Sequence, residues 1–195
     1  IGRHQRRPAV WVPGETLAID WGLLPSGLKV FCAVLAWSRV RFVRVARDET
    51  AATTLAMLAD CFDTLGGVPA KVLADRMGCL KGGTIANVVI PTPDYVRFAT
   101  HYRFVPDFCH PADPESKGIV ENLVGYAKTD LVLPDSDDLA VLNDACRVWC
   151  CEVNARAHSE ICAIPDVRLV EERALLRELP MLRPRIGRVE VRKVD

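Results

Sequence analysis

Two hydrophobic periods meet near residue 48, and that change constrains the fold more than any other feature. Upstream lie three short apolar runs rich in β-branched and aromatic residues: TLAIDWG (16–22), LKVFCAVLAWS (28–38) and VRFVRVA (40–46). LPSG (24–27) supplies the first turn between them. The second run is apolar almost throughout, as a strand covered on both faces requires. The third sets Arg41 and Arg44 among apolar residues, as on an edge strand. Downstream, DETAATTLAMLADCFDTLGG (48–67) places Leu55, Leu58, Ala59, Phe62 and Leu65 three and four apart, which predicts an amphipathic helix ended by Gly66 and Gly67. Three strands joined by short turns form an antiparallel meander, and the helix then carries the chain back across it.

The remaining segments extend the pattern. VPAKVLAD (68–75) predicts a strand finishing at Asp75, and GCLKGGTIANVVIPTP (78–93) a glycine-rich excursion with some strand content. TPDYVRFATHY (92–102) opens with Thr92 as cap and Pro93 in the first turn of a helix. FVPDFC (104–109) predicts a short strand that Pro106 confines to an edge. The segment 110–132 holds a helix that turns Val120, Leu123, Val124, Ala127 and Leu131 inward and Lys117, Glu121 and Lys128 outward. Further helices are expected over 136–158, capped by Ser136, and over 166–179. This order defines an α/β domain of ribonuclease-H-like type: a mixed five-stranded sheet, its first three strands antiparallel, with helices on both faces. The boundaries read as a basic linker at 1–14, a core at 15–165, and a C-terminal helix and linker at 166–195 leading into a truncated further domain.

At 195 residues, half of them apolar, the chain builds one substantial core. No apolar run reaches the roughly 20 residues of a membrane span, and the start IGRHQRRPAVWV has no signal-peptide pattern, so a cytoplasmic protein is expected, nucleoid-associated when acting. The missing initiator Met points to a fragment. Most of the eight cysteines sit inside apolar runs, as reduced core thiols do. Cys146, Cys150 and His158 could meet near one helix, but without a CxxC pair zinc is the weaker reading. A net charge of zero conceals segregation: residues 1–47 carry eight basic and two acidic residues, 48–167 nine and eighteen, and 168–195 eight and five. Basic ends around an acidic middle suit a cation-binding centre between segments that touch a polyanion, or simply a solvated surface.

Three acids interrupt apolar context. Asp20 lies mid-strand in LAIDW, Asp75 ends KVLAD, and Glu121 follows Ile119 and Val120 on a helix. A buried carboxylate costs several kcal/mol unless paired or bound to a cation. A strand added after the crossover helix lies parallel beside the central first strand, which brings Asp20 and Asp75 together; Glu121 can face both from a packed helix. Carboxylates without nearby His favour Mg²⁺ or Mn²⁺, and two such ions suit in-line displacement at phosphorus. Asp113 and Glu115 compete as the third acid from a looser loop, with His110 beside them. Trp21 suits either base stacking or packing, and the Arg groups RHQRR and RPRIGRVEVRK either DNA-backbone contact or solvated tails.

AIDWG, VLADRMG and HPADPESKGIVEN together resemble the catalytic core of the retroviral-integrase superfamily, most closely the IstA-type transposases of bacterial insertion sequences. The likeness covers nearly the whole chain. Each motif is weak alone; in this order and spacing they are specific. The resemblance implies that Asp20, Asp75 and Glu121 form an Asp, Asp, Glu triad holding two Mg²⁺ or Mn²⁺ ions. It implies 3′-end cleavage and strand transfer of DNA by transesterification, without a covalent protein intermediate. It also implies a preceding helix-turn-helix region, a following β-rich domain, a homo-oligomer on paired element ends and an ATPase helper. Relatives carry DNA-binding basic residues one and two turns after the Glu; here the nearer position is Gly125, leaving Lys128, with Lys117 on the same face. Arg76 replaces a common Asn beside the second Asp and is a further candidate DNA contact. The gap from Asp75 to Glu121 is longer than in retroviral integrases. A ribonuclease-H-like nuclease without strand transfer, and a non-catalytic DNA-binding module, remain alternatives.

Overall fold

The computed structural model describes residues 10–75, 77–109 and 114–186, and of residues 114–117 the backbone alone. Three strands come first: β1 (Thr16–Leu23), β2 (Lys29–Leu35) and β3 (Arg41–Ala46). Helix α1 (Ala51–Leu65) crosses to β4 (Lys71–Ala74), and a hairpin of β5 (Lys81–Ile85) and β6 (Val88–Pro91) follows. Then come α2 (Pro93–Tyr102), β7 (Val105–Phe108), α3 (Pro114–Asp130), α4 (Leu139–Asn154) and α5 (Pro165–Arg173). The main sheet has the order β3-β2-β1-β4-β7. Short loops make β1, β2 and β3 antiparallel neighbours, whereas the crossovers through α1 and α2 bring in β4 and β7 parallel.

Alternation along each strand splits the apolar residues between two cores. Leu17 and Ile19 of β1 with Phe31, Ala33 and Leu35 of β2 face the layer formed by α1, α2 and α5. Ala18 with Val30, Cys32 and Val34 faces α3 and α4. Both faces are covered, which is why these strands read as continuous apolar runs. Burying each large aliphatic side chain contributes about 1.5–3 kcal/mol before chain entropy is counted.

Several element ends differ from the sequence expectation, each for a local reason. Asp138, not Ser136, caps α4: its carboxylate accepts the Ala140 N–H at 2.8 Å, while the Ser136 hydroxyl accepts the Asp138 N–H at 3.1 Å. The same helix ends at Asn154 rather than 158, because the Asn154 amide clips the Arg41 backbone in both directions at 2.9 Å. Helix α5 starts at Pro165 and stops at Arg173, not 179, since Arg177 exchanges backbone hydrogen bonds of 2.8 and 2.9 Å with Val68. The glycine-rich excursion is the β5–β6 hairpin, turned by Ala86 and Asn87, both at positive φ. Pro106 sits in β7 at the sheet edge.

The segment after residue 165 lies on the body of the domain. Leu169 enters the α1-side core, Leu176, Leu179 and Ile186 pack against it, and the fully buried Glu172 accepts the Gly14 N–H at 2.9 Å. Among the described residues, no helix is long and apolar enough to cross a membrane.

Helix α3 rests closely on β1 at Gly22. A Cβ there would stand 2.7 Å from Val124 Cγ1, 3.0 Å from Val30 Cγ1 and 3.2 Å from Lys128 Cε. Gly22→Ala is expected to cost about 1–3 kcal/mol by forcing α3 off the sheet, read as a lower urea midpoint with unchanged m-value.

Candidate active site

The parallel β1–β4 ladder builds the site. Ile19 is paired with Ala74, so the next residues, Asp20 and Asp75, stand side by side on adjacent strands; the Asp75 N–H donates to the Ile19 carbonyl at 3.2 Å. In a regular ladder such neighbours lie roughly 5 Å apart at the backbone. Asp20 shares its face with Ala18 and is paired across β2 with Cys32, both in the α3-side core. Asp20 is half-buried and accepts the Trp21 N–H at 2.8 Å; Asp75 is 9% exposed. Burial, followed by the Asp20 carboxylate, raises the Cys32 thiol well above its ordinary pKa.

A cavity of about 270 Å³ opens between them, lined by Asp20, Trp21, Glu49, Asp75, Met77, Gly78 and Cys79. Trp21 forms a wall. Its indole Nε1–H donates to the Thr54 hydroxyl at 3.1 Å, and its ring meets Phe31 edge-on at 5.2 Å. Thr54 in turn donates to the Thr50 carbonyl at 2.8 Å and lies 3.5 Å from the Cys79 sulfur. Burial raises the Cys79 thiol, and the Thr54 hydrogen bond partly opposes that. Trp21 is therefore held as packing while one side of it faces the cavity.

Glu49 was not a sequence candidate. The Asp48 carboxylate accepts the Thr50 N–H at 3.0 Å and so fixes the loop before α1, which carries Glu49 to the cavity and into an ion pair with Lys29 at 3.2 Å. Its only sequence signal is proximity to the helix cap Thr50.

Glu121 is an exposed residue on α3 immediately after the fully buried Val120, and it is not among the residues that line this cavity. Among the described residues no group of three His, Cys, Asp or Glu side chains stands close enough to hold a metal ion. Lys128 is exposed further along α3, with its stem beside Gly22 on the Asp20 face of β1. Lys117 lies in α3, but its side chain, like that of Glu115, is outside the described residues; so are Arg76, His110, Asp113 and the RHQRR group. Cys146 and Cys150 are buried under β3, their thiols pushed up to about 12 and about 11 by burial, and act as core residues. His158 lines a different cavity.

No family model matches the chain. A putative transposase for insertion sequence element IS5376 of Geobacillus stearothermophilus is 29% identical over 180 residues, covering 87% of this chain and 44% of that protein. A transposase for an IS21-like insertion sequence element of Bacteroides fragilis is 32% identical over 151 residues, covering 75% and 29%. The chain is a relative of IS21-type transposases. It spans less than half the length of these relatives. The catalytic core domain of BIV integrase superposes with a TM-score of 0.63 at 15% identity, over 83% of this chain and 97% of that one. The HTLV-2 integrase catalytic core domain in complex with magnesium, in a trimeric form, gives 0.54 at 16%, over 80% and 96%. The transposase relative therefore has an integrase-core fold of ribonuclease-H-like type.

The Trp21–Thr54 contact gives a direct test of the cavity wall. Thr54→Val keeps the shape but leaves the indole N–H without its acceptor. It is expected to cost about 1–3 kcal/mol in urea unfolding and to shift the tryptophan emission.

Proposed function

We propose that this chain is the catalytic core of an insertion-sequence transposase: a polynucleotidyl transferase that cleaves DNA at the 3′ ends of its element and joins them to target DNA. One observation carries this reading beyond the relatives' names. The β1–β4 register sets Asp20 and Asp75 next to each other at the mouth of one cavity. Two adjacent carboxylates repel unless a cation lies between them, and an oxygen donor set suits Mg²⁺ or Mn²⁺. Asp20 and Asp75 supply two such oxygen donors. Glu121 is the proposed third ligand, since it stands on the helix that packs on the same sheet face as Asp20.

Bound there, two divalent ions would supply Lewis-acid polarisation of the scissile phosphate. The protein's part is positional. The ladder holds Asp20 at a fixed height on β1, the backbone bond to Ile19 holds Asp75 beside it, and Trp21 walls off the α1 side. In the first step water attacks phosphorus and the bond to the 3′ oxygen breaks, leaving a free 3′-OH. In the second that hydroxyl attacks a target phosphodiester, one P–O bond forming as another breaks. Lys128 contacts backbone phosphate from α3, and Lys117 and Arg76 are proposed to do the same by their place in the motifs. DNA ends and target DNA are the partners, with a homo-oligomer assembled on paired ends, an ATPase helper, and a cytoplasmic, nucleoid-associated site of action.

The test incubates the full-length transposase with element-end DNA and Mg²⁺ or Mn²⁺. Joined products are expected, and Asp20→Asn, Asp75→Asn or Glu121→Gln should each lower them by more than the roughly 10–100-fold loss of an outer-shell partner. Cleavage without joining would identify a nuclease, and no metal-dependent reaction would leave only a DNA-binding module.

Metal binding is checked separately from activity. At about 100 times its Kd, Mn²⁺ should stabilise the unaltered protein by roughly 2.7 kcal/mol. Asp75→Asn should abolish most of that increment in a thermal melt.

A further inference from the structure

A second cavity, of about 190 Å³, lies at the β3 edge of the sheet. Arg41, Tyr126, Val153, Arg156, His158 and Ser159 line it. Arg41 opens β3 and is joined through Val34 of β2 to the level of Ala18, whereas Asp20 lies nearer the opposite end of β1. Helix α4 ends where Asn154 clips the Arg41 backbone, and residues 156–159, which follow, line the cavity with Arg41.

Its chemistry is that of an anion site. The Arg41 guanidinium is positioned: one N–H donates to the Val153 carbonyl at 3.3 Å, and its Cζ lies 5.5 Å from the Tyr126 ring centroid. Among the described residues no ion pair joins Arg41 to an acid, so most of its five N–H donors remain available on a half-buried cation. Burial accordingly holds its pKa below the usual guanidinium value. Arg156 adds a second cation, its only described acid partner being the exposed Glu152 at 3.5 Å. The His158 Nδ1 accepts the Glu160 N–H at 3.3 Å, which leaves Nε2 as the ring's donor. Burial and then Arg41 and Arg39 lower the His158 pKa, against an opposing effect of Glu160. Among the described residues no acid lines the cavity; Asp130, on the Tyr126 side, is engaged by the Trp149 Nε1–H at 2.7 Å, and Glu160 by Arg39 at 2.9 Å.

We propose that this cavity is an accessory phosphate site that grips a DNA backbone phosphate away from the strand being cut. The cavity is smaller than the roughly 300–1,000 Å³ of cofactor sites, so it admits one anionic group rather than a whole nucleotide cofactor. A planar, fixed guanidinium with free N–H donors matches a phosphate diester, and the reading rests on the proposed action on DNA. A phosphate here lets the protein hold duplex that never reaches Asp20.

The test measures binding of full-length protein to a short random-sequence duplex across a range of salt. Arg41→Gln with Arg156→Gln should weaken binding about tenfold and reduce the slope of log K against log[salt] by about 0.9, the amount expected when one phosphate is no longer neutralised. Arg156→Gln alone, at an exposed position whose one described ion pair is with the exposed Glu152, should move the affinity in the same direction, which guards against misfolding of the double variant. An unaltered slope and affinity in both arginine variants would overturn the proposal. So would loss of binding to a poly-glutamate peptide with no loss of duplex binding, which would assign the cavity to an acidic protein segment. If the unaltered protein binds no DNA at all, the functional reading fails and this one with it; a protein that binds and joins DNA with arginine-independent slope defeats this proposal alone.

Discussion

Everything at the site depends on one backbone pairing, the parallel ladder between β1 and β4. Because Ile19 is in register with Ala74, the acids that follow them must be neighbours, whatever their side chains prefer. A slip of one residue would send Asp20 into the α1-side core and destroy both layers at once, so the register is pinned by burial on both faces. Leu17 and Ile19 lock one side and Ala18 the other, each about 1% exposed or less. The acidic pair is thus set by apolar residues that touch no substrate.

Glu121, the proposed third carboxylate, obeys a weaker constraint. Glu121 is fixed by the seating of α3, and that seating relies on side-chain packing of Val120, Leu123 and Val124 and on the bare backbone at Gly22. Helices resting on sheets through apolar stripes can shift by small amounts at modest energy, whereas a hydrogen-bonded ladder cannot. The two Asp residues are thus held rigidly and the proposed third ligand stands on a more adjustable element, while Glu49 faces the cavity from the loop before α1.

Much of this was legible because periodicity and topology are nearly sufficient for it. Continuous apolar β2, amphipathic α1 and the Thr92–Pro93 start of α2 each announce themselves, and Pro106 announces an edge strand because it has no N–H to give a further neighbour. A βαβ crossover then brings Asp20 and Asp75 together without further information. What stayed hidden was set by contacts distant in sequence. The end of α4 depends on Asn154 meeting Arg41 and the end of α5 on Arg177 meeting Val68. The hairpin turn Ala86–Asn87 lacks the Asn-Gly signature that would have marked it, although both residues take left-handed conformations. Glu49 reaches the cavity only through the folded loop.

The β3 edge of the sheet shows the same logic at the Arg41 cavity. An unpaired edge strand invites association with another chain, and β3 avoids it by pairing with side chains instead of a strand. Asn143 exchanges hydrogen bonds of 2.8 and 3.0 Å with the backbone of Val45, and Asn154 does so at 2.9 Å with Arg41. Eleven helical residues rise about 16 Å and four strand residues about 13 Å, close enough for two asparagines on one helix to cover both ends of the strand. Covering the edge this way ends α4 beside Arg41 and turns the chain outward there. The cation cavity is thus a direct consequence of how the edge is protected, and disrupting the Asn154 clip would open the edge and the cavity together.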